Sequence, residues 1–251
     1  GVWLLDEDGG NTAFDSSGRG FDGELNGPDW APGKFGSALQ FDGASWVSIA
    51  DQPELQVTEA LSMMAWFFAE DIGDWRQLIA KNDEYLLRID PPGEGNKMSA
   101  FVKPGGAWEP RASATVPNLD EWIHFAATYE QEPKGDVDHL KIYVNGVLAG
   151  QSTRPGKIGA AGGAVEIGRW GGGSFFVGII DDVGIFNVAL AEEDILSIVE
   201  NGQPAARACT SVSIGAESTA SQSTSIAWVA TYFLRAPASF WRSGRLDRSG
   251  A

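Results

Sequence analysis

Short runs of β character recur about once every dozen residues along the first three quarters of the chain, and that spacing restricts it to an antiparallel, all-β architecture. They fall at residues 2–6, 38–41, 46–49, 62–69, 76–81, 85–89, 98–102, 122–129, 140–144, 165–168 and 176–186, each bounded by turn chemistry. No helices alternate with them, as a parallel sheet would require. Asn145-Gly146, between KIYV and VLAG, suits a type I′ hairpin turn, and Asp42-Gly43 is a weaker signal of the same kind. With 32 Gly, 12 Pro, 10 Trp and 13 Phe, the composition fits many short strands joined by turns around an aromatic core. One helix is expected near the end of the domain. Glu192, Glu193 and Asp194 place negative charge in its first turn, Ile195, Ile198 and Val199 form an apolar stripe, and Gly202 with Pro204 stops it.

The last strand carries a residue that does not fit. Alternation places Val177, Ile179, Val183 and Ile185 on one face, and Asp181 shares that face. A carboxylate in an apolar row is costly unless it is paired, hydrogen-bonded or bound to a cation, and Ca²⁺ takes the carboxylate and carbonyl oxygens an acidic chain supplies. The alternative is a bulge that turns Asp181 out to solvent.

Charge excludes some functions. The net charge is −16, and residues up to Ala205 carry 13 Lys+Arg against 32 Asp+Glu. Such a field repels phosphate backbones and anionic membranes and favours cations, which argues against nucleic-acid binding. No apolar run approaches the ~20 residues of a membrane span. The single cysteine, Cys209, forms no internal disulfide and leaves the compartment open. After Pro204 the sequence turns rich in Ser, Ala, Thr and Arg without a sustained period, so residues 1–203 are read as the domain and 204–251 as a low-complexity or disordered tail.

The body resembles the LamG-like (laminin G, pentraxin-like) branch of the concanavalin A-like jelly-roll family. The matching stretches, in the family's order, are WLLDEDGGNTAFDSSGRGFDGEL from Trp3, GKFGSALQFDGASWVSI from Gly33, LSMMAWFFAED around Trp66, LIAKND from Leu78, EWIHFAATYE from Glu121, LKIYVNGVLAG from Leu140 and GIIDDVGIFNVALAEEDI from Gly178. The resemblance implies two antiparallel sheets packed face to face, adjacent N- and C-terminal strands, and commonly one structural Ca²⁺ near those strands. It also implies core positions for Trp3, Trp66 and Trp122.

Two sets of site residues follow. The metal set is Asp181, Asp15, Asp6 and the Gly43 carbonyl, which the resembled fold would bring to one rim; an Asx turn is the metal-free alternative for Asp15. The ligand set rests on Trp75, Trp108 and Trp170, which lie in or beside loops, where a ring can stack on a sugar, meet a partner protein, or plug the end of the sandwich. Arg88, Asn82 and Arg169 are their polar neighbours.

Catalysis is not expected. Retaining glucanases on this sandwich need two carboxyl groups ~5 to 5.5 Å apart, supplied by E-x-D-x-x-E on one strand. The nearest match here, Glu192-Glu193-Asp194, ends in Ser197 on the expected helix. His124 reads as a hydrogen-bonded structural residue, and His139 lies in an acidic loop. The expectation is a secreted or cell-surface recognition module, part of a larger multidomain protein, that binds a glycan. The alternative is an adhesion or structural module that binds an extracellular protein.

Overall fold

The computed structural model describes residues 1–135 and 137–203, all within the compact unit Gly1–Thr210. The expected tail and Cys209 lie outside the described residues. Six strands come first: β1 (Val2–Trp3), β2 (Thr12–Ala13), β3 (Gly23–Asn26), β4 (Asp29–Pro32), β5 (Ser37–Asp42) and β6 (Trp46–Ile49). Five follow: β7 (Ala60–Ala69), β8 (Arg76–Lys81), β9 (Tyr85–Ile89), β10 (Met98–Val102) and β11 (Ala112–Ser113). The last are β12 (Trp122–Glu130), β13 (Leu140–Val144), β14 (Val147–Ser152), β15 (Val165–Ile167) and β16 (Val177–Phe186), and helix α1 (Glu192–Asn201) closes the domain.

The strands form two eight-stranded antiparallel sheets. The front sheet runs β14-β13-β12-β7-β16-β5-β4, with β1 paired to β16, and the back sheet runs β11-β10-β9-β8-β15-β6-β3-β2. The chain ends of the domain therefore meet, Val2 opposite Gly184 and Trp3 opposite Val183. Between the sheets lies one apolar core. Alternation along β7 sends Leu61, Met63, Ala65, Phe67 and Ala69 into it, against Ile79, Tyr85, Leu87 and Ile167 of the back sheet. Trp3 is fully buried there, its Nε1 donating to the Phe21 carbonyl at 2.8 Å. Each such large side chain contributes about 1.5–3 kcal/mol by leaving water.

The Asn145-Gly146 turn has positive φ at both residues (51° and 82°), as a type I′ hairpin demands. The other expected core tryptophans differ. Trp66 and Trp122 point to the outer face of the front sheet, because odd-numbered residues of β7 face the core and Trp122 pairs with Phe68. That face is covered by the chain itself: Ile195 and Ile198 of α1 pack on Met64, Ala126 and Tyr143. Among the described residues no helix is long and apolar enough to cross a membrane.

Candidate functional site

Two outer faces hold the expected site residues, and they are built differently. On the front sheet, register places His124, Trp66 and Asp181 side by side across β12, β7 and β16. The alternation read along β16 breaks here, because the register shifts between Asp181 and Gly184. Ile180 faces the core before the bulge, and Val183 and Ile185 face it after, which leaves Asp181 on the opposite face. The bulge does not expose it. Asp181 is fully buried, accepting the Phe35 N–H at 2.9 Å and the Asp182 N–H at 2.7 Å, because the 33–37 turn lies over it. Gly33 permits that approach: a Cβ there would meet the Asp181 carboxylate at 2.6 Å. Burial, with the Asp182 carboxylate beside it, pushes the Asp181 carboxyl up to about 8. Asp182 has φ 46° and accepts the Gln203 N–H at 3.0 Å, pinning the chain as it leaves α1.

His124 is not the hydrogen-bonded histidine expected. Its ring nitrogens have no hydrogen-bond partner among the described residues, its ring meets Trp66 edge-on at 5.4 Å, and burial drives its pKa down to about 3, so it stays neutral. Lys34 lies 4.5 Å over the Trp66 ring. The second histidine, His139, accepts the Arg154 N–H at 3.2 Å on Nδ1.

The four expected metal ligands do not converge. Asp6 reaches the turn that covers Asp181, accepting the Ser37 N–H at 3.2 Å. Asp15 is occupied elsewhere: its carboxylate takes the N–H groups of Val2, Ser17 and Phe21 and the Ser17 hydroxyl at 2.7–3.1 Å. Burial opposes its ionisation, but these hydrogen bonds outweigh that and hold its pKa below the usual range. Gly43 follows Asp42, which pairs with Val177, about 13 Å of strand from Asp181. Among the described residues no group of three or more His, Cys, Asp or Glu is arranged to hold a metal ion. The structure thus brings Asp6 toward the turn over Asp181 and does not gather all four at one point.

The outer face of the back sheet assembles the ligand set. Ala80, Leu86 and Phe101 lie opposite one another across β8, β9 and β10, and Trp108 and Trp170 pack on that row. The two indoles are half-buried and nearly perpendicular, centroids 6.2 Å apart at 81°. Trp170 Nε1 donates to Asn82 Oδ1 at 3.1 Å, and an open pocket of ≈ 320 Å³ lies beside it, lined by Asn82, Trp170, Gly171, Gly173 and Ser174. Arg88 is buried beneath this surface, its guanidinium 4.2 Å from the Trp75 ring and 4.3 Å from Phe101, with Asp90 and Glu94 at 2.8 and 3.1 Å. It braces the rings from below. Arg169 stacks 3.8 Å over Trp46 and pairs with Glu166.

Sequence reasoning missed three contributors: Phe101, Trp46 and Arg154. Arg154 is buried and donates to the carbonyls of Val102, Ala107 and Glu109, clamping the loop that presents Trp108. Alternation along β10, with Met98, Ala100 and Val102 in the core, is the signal that would have placed Phe101 outward; nothing in the sequence pointed Arg154 to that loop.

Solved structures share this fold at low sequence identity. Domain 4 of AbnA, a GH43 extracellular arabinanase from Geobacillus stearothermophilus, in complex with arabinotriose, is 20% identical with a TM-score of 0.61, over 79% of this chain and 96% of that one. The binding domain of Paraclostridial Mosquitocidal Protein 1 is 13% identical at TM-score 0.64, over 79% of this chain and 51% of that one. The binding domain of Botulinum Neurotoxin DC in complex with SialylT is 16% identical at TM-score 0.56, over 78% and 50%. The chain thus spans about half of each toxin domain. A search of curated proteins found no match. Residues 41–196 match the Laminin_G_3 family model, and with it the two facing sheets and the joined terminal strands agree: the chain belongs to the concanavalin A-like lectin/glucanases superfamily.

Proposed function

We propose that this protein is a non-catalytic recognition module that binds a carbohydrate on the outer face of its back sheet, at the cell exterior and as part of a larger protein. The observation that carries the reading is the perpendicular Trp108–Trp170 pair, half-exposed and fixed in place beside an open polar pocket. Half-exposed indoles offer ring faces to the C–H surfaces of a sugar, and Asn82 and Ser174 offer groups that can hydrogen-bond its hydroxyls. The fold's occurrence in a domain bound to arabinotriose supports the same reading. The test is a glycan array followed by calorimetric titration of the best ligand. Trp170→Ala is expected to weaken binding tenfold or more while the protein stays folded. Unchanged affinity in a folded Trp170→Ala protein overturns the assignment.

A second reading, a protein-interaction module, rests on a different surface. Val147 and Leu148 on the edge strand β14 are 64% and 41% exposed, beside Leu196 of α1 at 43%. A toxin binding domain of this fold occurs in complex with rat synaptotagmin II. An array without glycan binders would favour this surface. Calcium enters the proposal only as a structural ion at the Asp181–Asp6 rim, and its test is the melting temperature with calcium against chelator.

A further inference from the structure

We infer that the back-sheet face selects uncharged oligosaccharides over acidic ones, an inference that rests on the carbohydrate reading above. Among the described residues, four cations lie over its aromatic rings: Arg88 over Trp75 and Phe101, Lys103 over Trp108, Arg111 over Phe101, and Arg169 over Trp46. Every one of them is paired with a carboxylate. Arg88 holds Asp90 and Glu94, Lys103 holds Asp83, Arg111 holds Glu94 and Glu109, and Arg169 holds Glu166. A uronate, sialate or sulfate ligand would have to break one of these pairs to gain a cation, leaving the displaced carboxylate against it.

Exposure sharpens the point, because in three of the four groups the acid stands further out than the base. The Asp83 side chain is 50% exposed against 20% for Lys103, Glu109 is 63% exposed against 22% for Arg111, and Glu94 is 31% exposed against 7% for Arg88. An approaching ligand therefore meets carboxylate oxygens first. These repel an anion and accept hydrogen bonds from neutral hydroxyl groups. The cations are committed to holding the rings.

The experiment compares an acidic oligosaccharide with its neutral ester. Oligogalacturonate and its methyl ester are titrated against the full chain, with arabinotriose and cellotetraose as further neutral probes and sialyllactose as a further acidic one. The expected result is binding of at least one neutral probe, tenfold or more tighter than any acidic probe, and little changed between about 0.05 and about 0.5 M NaCl. In the double variant Asp83→Asn, Glu109→Gln, both sites being exposed, the gap between neutral and acidic probes should narrow severalfold at unchanged melting temperature. An acidic probe that binds as tightly as its neutral counterpart overturns the inference and leaves the carbohydrate reading standing. Failure of every probe of either charge overturns the carbohydrate reading itself, and the inference with it.

Discussion

The two outer faces of this sandwich contrast in how they handle polar groups. The front face carries Asp181, His124 and Trp66, and the chain covers it with α1 and the 33–37 turn, so its polar atoms are taken out of water. The back face carries Trp46, Trp75, Trp108 and Trp170, leaves them half-exposed, and compensates each nearby cation with a carboxylate. On the covered face burial raises the Asp181 carboxyl and lowers the His124 imidazole, so both favour their neutral forms. The open face holds rings at defined angles, with the preorganisation that recognition needs. A residue's chemistry therefore does not by itself mark a site; what covers it decides.

The largest expected effect lies on the covered face. Trp66→Ala removes a ring that is only 4% exposed, and should cost about 3–5 kcal/mol in denaturant unfolding. Glycan affinity of the remaining folded protein should not change; a matching loss of affinity would break the separation of the two faces.

Next comes Asp181. Its carboxyl is raised to about 8 in the fold, so between its unfolded value near 4 and pH 8 the native state holds a proton that the unfolded chain has released. Stability should then fall as pH rises through that window, with a slope approaching ~1.4 kcal/mol per pH unit. Asp181→Asn should flatten the slope. Calcium, if it binds there, stabilises the ionised form, so its addition at pH 8 should raise the melting temperature of the parent and not of Asp181→Asn; equal melting in calcium and chelator would remove the ion from the account.

The smallest effect on stability is expected at Trp170. Its ring is only partly covered, so Trp170→Ala should cost about 1 kcal/mol, well short of a core truncation. A loss as large as that of Trp66→Ala would make Trp170 a structural plug.

The strands at 46–49, 76–81, 85–89, 98–102 and 140–144 were legible in the sequence because each combines apolar residues with flanking turn signals. Strands β2, β3, β4 and β11 were not, since Thr12–Ala13 and Asp29–Pro32 are strands through their partners, β3 and β5, and not through their own propensity. The bulge after Asp181 was legible as an option, but its consequence depended on a turn 146 residues away whose Phe35 N–H reaches the carboxylate. On the back face, position in or beside loops pointed to Trp75, Trp108 and Trp170, yet the stacking of Arg88 between Trp75 and Phe101 is a product of register. Side-chain type was readable; side-chain company was not.

The central claim, that recognition belongs to the open back face, is tested most directly by mapping backbone amide chemical shifts while a bound neutral oligosaccharide is titrated in. The account predicts perturbations confined to residues 80–88, 99–111 and 166–175, with the 33–37 turn and the strands around His124 and Asp181 unmoved. Perturbations centred on the 33–37 turn or on β16, with Trp108 and Trp170 unaffected, would contradict it.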